Sequence, residues 1–137
     1  MNRRHFLTGA ATLLAAPSLL IAAGGETTDY TPGLIEQKLA AGETVFVDFA
    51  ATWCSTCKRQ ERIIDELRAS NPDFDKNISF VKVDWDTYGS HDVVKSRNIP
   101  RRSTLILLKG TEELGRIVAG TSSDEIKSLL ELGLANS

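Results

Sequence analysis

Two cysteines, Cys54 and Cys57, are the only sulfur nucleophiles in the chain, and they stand two residues apart in Trp53-Cys54-Ser55-Thr56-Cys57-Lys58. A single pair excludes a multi-disulfide scaffold and leaves a cysteine-only zinc site short of ligands. A mixed Cys/His site is short as well, because His91 is the only histidine outside the first ten residues. The chemistry that remains open is thiol–disulfide exchange, with a permanent disulfide or a two-thiolate Cu(I) site as alternatives.

The pair sits where one kind of element gives way to another. Thr44 to Ala50 (TVFVDFA) is a compact β-branched and aromatic run and reads as a buried strand, apolar except for Asp48. After the cysteines, Ile63, Ile64 and Leu67 make an apolar stripe among charged residues, which predicts an amphipathic helix from about Cys57 to Ala69, closed by Asn71-Pro72. Cys54 therefore falls near a helix N-terminus, where free N–H groups and the positive end of the dipole favour thiolate over thiol. One helical turn brings Cys57 back to Cys54. This predicts Cys54 as an exposed nucleophile and Cys57 as a buried resolving thiol.

The remaining elements frame that junction. Thr31-Pro32 reads as the start of a short helix that carries Leu34, Ile35 and Leu39 and stops at Ala41-Gly42. Ile78 to Asp84 and Thr104 to Leu108 read as core strands, with a short helix over His91 to Arg97 between them and a turn at Lys109-Gly110-Thr111. Leu114 to Ala119 follows as a fourth strand. Ser122 to Glu125 is a capping box that opens a last helix with Ile126, Leu129 and Leu130 facing inward. Strands separated by helices imply parallel βαβ units, and the final strand pair adds an antiparallel edge. The fold class is a small α/β sandwich.

The first residues carry a different message. Arg3-Arg4 is followed two residues later by Phe6-Leu7, then by an uncharged run from Gly9 to Ala23. These are the three parts of an export signal, and the arginine pair resembles the twin-arginine signal of bacteria. The run holds about 15 residues where a spanning helix needs about 20, and Pro17 interrupts it. Residues 1–23 are thus expected to be a signal cleaved near 23–25, with 24–137 a single domain in the periplasm, without stable membrane insertion after cleavage. Cleavage after Ala23 removes two arginines and no acid, taking the net charge from -2 to -4. Exported thiols meet oxidising conditions and stay reduced only if something reduces them.

Composition narrows the classes further. The 137 residues are 42% hydrophobic and 25% charged, with ten Gly and four Pro, which suits one globular domain and excludes collagenous, repeat and disordered chains. The slightly negative charge gives no reason to expect nucleic acid.

The stretch from about Val45 to Leu130 resembles the thioredoxin family. Val47-Asp48-Phe49-Ala50-Ala51-Thr52-Trp53-Cys54 is similar to the family's strand-and-tryptophan approach to its cysteines, and Gly120 to the glycine after its last strand. The resemblance implies a thioredoxin fold: a central mixed sheet of four to five strands, flanked by helices on both faces. It also implies that Asp48, six residues before Cys54, transfers protons to Cys57, and that Lys82 faces it from the next strand. Trp53 would line the partner surface. No cofactor or metal is implied, and the partners are protein disulfides and a thiol electron donor, such as a membrane carrier, serving a monomer.

One position departs from the family, which places a proline before the Thr that opens its third strand. Without gaps, Thr104 to Gly110 align so that Ser103 takes the proline's place; aligning Ile99-Pro100 instead leaves three residues to absorb. The ungapped alignment is preferred. The peptide before Ser103 is then either cis, costing about 3 kcal/mol, or trans with an altered loop.

The implied activity is a thiol–disulfide oxidoreductase, with reduction of partners favoured because Asp48 and Lys82 match reducing members and no helical domain is inserted. A disulfide-donating oxidase is the first alternative. A Cu(I) carrier is a weaker one, since Thr52-Trp53 stands where such carriers have Met, and a non-catalytic module is a third. Lys58, Arg101 and Arg102, with Arg59 and Arg62, are either a solvated basic face or a cluster that lowers the Cys54 pKa and attracts acidic partners. His91 reads as a loop or helix-start residue.

Overall fold

The computed structural model describes residues 26–137; the expected signal segment and its cleavage site lie outside them. Five strands form one mixed sheet in the order β1-β3-β2-β4-β5. They are β1 (Thr27–Asp29), β2 (Thr44–Ala50), β3 (Ile78–Asp84), β4 (Thr104–Lys109) and β5 (Glu112–Val118). The helices are α1 (Leu34–Ala40), α2 (Ser55–Ser70), α3 (Pro72–Asn77), α4 (Trp85–Tyr88), α5 (Asp92–Lys95) and α6 (Ser123–Ala135).

Side-chain alternation on β2 builds two cores. Val45, Val47 and Phe49 face Ile35 of α1 and Val93 and Val94 of α5, with Val81, Val83, Ile106 and Leu108 from the flanking strands. Phe46 points the other way, into a layer of Ile64, Phe74, Leu105, Leu107, Ile126 and Leu130 beneath α2, α3 and α6. Asp48 shares the parity of Phe46, so the one acid of this buried strand lies on the α2 side.

Several expectations need correction. β4 runs antiparallel to β2 although helices separate it from β3, so only β1, β3 and β2 are parallel. The connection through α4 and α5 holds two single-turn helices rather than one long crossover helix, and it brings β4 in beside β2 in the antiparallel sense. The first helix begins at Leu34, after Gly33 at φ 90, because Thr31 to Leu34 closes a separate turn first. Asn71-Pro72 ends α2 but also opens α3: Asn71 caps Asp73 N–H and Pro72 takes a first-turn position. β1 and α4 were not anticipated, being too short for periodicity to reveal. α2 begins at Ser55, two residues before the expected start, which makes Cys54 its N-cap.

Candidate active site

The cysteine pair closes the junction between β2 and α2. Cys54 Sγ accepts the backbone N–H of Cys57 at 3.2 Å, a capping bond made by a sulfur. Both thiols are free and almost fully covered, Cys54 at 3% exposure and Cys57 at 2%. The expectation of an exposed Cys54 is therefore corrected: the loop before β4 packs onto the pair and covers it.

That loop delivers Ser103. Its Oγ stands 3.2 Å from Cys54 Sγ and 3.0 Å from Cys57 Sγ, with the residue wholly buried. Pro100 is exposed. The ungapped alignment thus describes the geometry, and Ser103 rather than Pro100 faces the cysteines. No peptide bond among the described residues is cis, and the altered loop appears instead as a left-handed Ser103, φ 63. Three bonds fix it: its N–H donates to Phe49 O at 2.7 Å, and its carbonyl accepts from Ala119 N at 2.8 Å and from Gln60 Nε2 at 3.0 Å. Thr104 does not reach the sulfurs; its hydroxyl closes the loop by donating to Arg101 O at 2.7 Å.

Gln60 was not anticipated. It is fully buried, and the same Nε2 also donates to Gly120 O at 2.9 Å, tying α2 to both loops beside the cysteines. Its signal was positional: Cys57, Gln60 and Ile64 share one helical stripe, and a polar residue on a buried stripe must have partners.

Trp53 is 58% exposed beside the pair and is held from two sides. Its Nε1 donates to the Asp86 carboxylate at 3.0 Å, and the Arg102 guanidinium lies over the ring, 4.4 Å from the centroid. Asp86 is the second residue the sequence did not single out. Of the basic residues grouped with the cysteines, Arg102 is the one that lowers the Cys54 thiol. Arg101 turns its Nε back to Arg102 O at 3.0 Å, and Lys58 is exposed in an open hollow with Glu61, Arg62 and Asp65.

The electrostatics separate the two thiols. Burial pushes the Cys54 thiol up, but Cys57, the Ser103 hydroxyl, the Cys57 backbone N–H and the nearby Arg102 outweigh it and bring the group down to about 7. Cys57 moves the other way, raised by burial and then by its bond to Cys54. Asp48 is buried and rises to about 7, burial outweighing the Lys82 charge that lowers it. Lys82 stands opposite Asp48 in the β2–β3 register, yet its Nζ pairs with Glu61 at 3.3 Å. A small cavity of about 50 Å³ is lined by Asp48, Glu61, Asp65 and Lys82 among others.

Residues 26–132 match the family model described as Thioredoxin. The chain belongs to the thioredoxin family. It is 34% identical over 86 residues to Thioredoxin H2-1 of Oryza sativa subsp. japonica, a match covering 63% of this chain and 57% of that protein. It is 31% identical over 100 residues to Thioredoxin-1 of Saccharomyces cerevisiae, covering 73% and 90%. The chain thus spans less than two thirds of the first of these thioredoxins and most of the second. Among solved structures, Trxlp from Edwardsiella tarda EIB202 superposes with a TM-score of 0.68 at 31% identity, over 77% of this chain and 98% of that one. The thioredoxin fold and its Cys-x-x-Cys centre are therefore both present, with a serine where the family keeps its proline.

Proposed function

We propose that the protein is a thiol–disulfide oxidoreductase that reduces disulfides of partner proteins in the bacterial cell envelope. The observation that carries this reading is the placing of the pair, Cys54 at the N-cap of α2 with its thiol lowered to about 7 and Cys57 one turn on with its thiol raised.

In the forward direction the Cys54 thiolate attacks a partner disulfide, forming a Cys54–partner bond and releasing one partner sulfur as a thiolate. Cys57 gives its proton to Asp48, whose raised pKa lets it take and return a proton near neutrality. The Cys57 thiolate then attacks Cys54 Sγ and the second partner sulfur leaves. Two electrons have moved to the partner, and a thiol donor must return them to the Cys54–Cys57 disulfide. Reduction is favoured over disulfide donation because a nucleophile near 7 belongs with reducing centres, whereas strong oxidases have a nucleophile pKa of about 3.5.

Export is proposed from Arg3-Arg4 and the uncharged run after them. Dithiothreitol-driven reduction of insulin by the mature chain tests the activity: turnover lost in Cys54→Ser supports it, and turnover indistinguishable from the uncatalysed rate overturns it. Fusion of residues 1–25 to a reporter tests export, which should stop when Arg3 and Arg4 are both replaced by Lys. A reporter that stays inside the cell with the native segment overturns that part.

A further inference from the structure

Thiol exchange needs two sulfurs and a base, yet a hydroxyl stands between the sulfurs. Ser103 Oγ is within hydrogen-bond distance of both. A hydroxyl has one proton to donate and lone pairs to accept with. Cys54 Sγ already receives the Cys57 N–H, so it is the better place for negative charge and the natural target of the Ser103 proton. Cys57 Sγ then faces the oxygen's lone pairs and keeps its S–H.

We propose that Ser103 is a positioning residue for the dithiol: its hydroxyl donates to the Cys54 thiolate and accepts the Cys57 S–H, and so stabilises the reduced pair over the disulfide. This rests on the dithiol cycle proposed above. When the Cys54–Cys57 bond closes, two electrons pass to the partner disulfide and Cys57 gives up its proton. Both partners of the hydroxyl are then neutral disulfide sulfurs, and its two strong bonds are lost.

The backbone argues that the hydroxyl is the reason for a serine here. At φ 63 glycine is free of strain and serine is not. The Phe49, Ala119 and Gln60 bonds are all to the Ser103 main chain, so glycine would keep every one of them. What only the serine supplies is Oγ. Ser103 lowers both thiols, so the choice of Cys54 as the one that takes its single proton rests on the Cys57 N–H already aimed at that sulfur.

The test uses Ser103→Ala and Ser103→Gly in the full chain, with the Cys54 thiolate followed by ultraviolet absorbance during pH titration. The dithiol–disulfide equilibrium is measured separately against glutathione. Both variants should raise the Cys54 pKa by about one unit and shift the equilibrium about tenfold towards the disulfide, equivalent to a potential about 30 mV lower. Glycine suits the backbone, so its variant separates loss of the hydroxyl from misfolding and decides the matter should the alanine variant fold poorly. A Cys54 pKa and an equilibrium constant unchanged in the folded glycine variant would overturn the proposal. Failure of the wild type to turn over a disulfide substrate would instead count against the cycle, and the thiolate titration reads the hydroxyl in either case.

Discussion

Asp48 and Lys82 stand opposite each other in the β2–β3 register and make no hydrogen bond. Lys82 Nζ is turned to Glu61 at 3.3 Å, and Asp48 Oδ1 is buried without a partner. The lysine therefore tempers the acid through space without neutralising it, which keeps a proton on Asp48 up to about neutral pH.

This makes stability pH-dependent in a specified direction. The native state holds a proton on Asp48 that the unfolded chain releases above about 4, so stability falls as pH rises through that window and levels off above about 7. Asp48→Asn should remove the penalty. Above neutrality it should be more stable than wild type by at most about 4 kcal/mol, a ceiling from the pKa displacement, because Lys82 loses an attractive charge. Near pH 4, about the unfolded-state value, the two should unfold alike. Urea midpoints across the window check this, and equal midpoints at about pH 8 would contradict it. On the proposed cycle, in which Asp48 takes the Cys57 proton, the same variant should slow release of the mixed disulfide.

Gln60 should matter for both loop geometry and stability. Its one amide nitrogen holds two carbonyls, Ser103 O and Gly120 O. Gln60→Glu keeps the shape but turns an acceptor towards them. A loss of about 1 to 3 kcal/mol is expected, growing as the new carboxyl ionises. Thermal unfolding at two pH values measures it, and a glutamate variant as stable as wild type at both would show that the amide does not hold the loops.

Arg102 links the nucleophile to the exposed tryptophan. Arg102→Gln should raise the Cys54 pKa by less than Ser103→Gly does, since Ser103 is the stronger influence on the thiol. It should also free the Trp53 ring, which keeps only its Asp86 bond. Thiolate titration and Trp53 fluorescence anisotropy read the two effects separately. An unchanged Cys54 pKa would reduce Arg102 to a packing partner of Trp53.

Far from the cysteines, Arg68 ties the N-terminal strand to the helical layer. It is buried, lies 3.9 Å over the Phe80 ring, and donates to Asp75 at 2.6 Å and to Thr27 Oγ1 at 2.8 Å. Arg68→Met keeps the packing but leaves Asp75 without its partner. It should cost about 3 kcal/mol, the penalty for breaking a largely buried pair from one side. Chemical denaturation checks this, and a cost below about 1 kcal/mol would place the pair with weak surface bridges.

What could be read from the sequence, and what could not, follows from range. β2, β3, α2 and α6 carry dense apolar patterns and clear caps, and so were legible, as was the placing of Asp48 before the cysteines. β1 spans three residues and is a strand only because Lys82 and its neighbours pair with it. The direction of β4 depends on how α4 and α5 turn the chain, which no local pattern encodes. Ser103 could be aligned to the cysteines, but the left-handed backbone that aims its hydroxyl is imposed by Phe49, Gln60 and Ala119, which lie far from it in sequence or in other elements. Gln60 and Asp86 were missed for the same reason. Each is an ordinary polar residue until the fold supplies its partner.

The proposed function requires Cys54 and Cys57 to form a reversible, reducing dithiol. Its most direct test is the reduction potential of the pair, obtained by equilibrating residues 24–137 with dithiothreitol or glutathione buffers and trapping free thiols. A single two-electron transition towards the reducing end, at about -270 mV, is expected. A potential near about -120 mV would reverse the direction of electron flow and make the protein a disulfide donor, and the absence of any reversible transition would contradict the dithiol cycle itself.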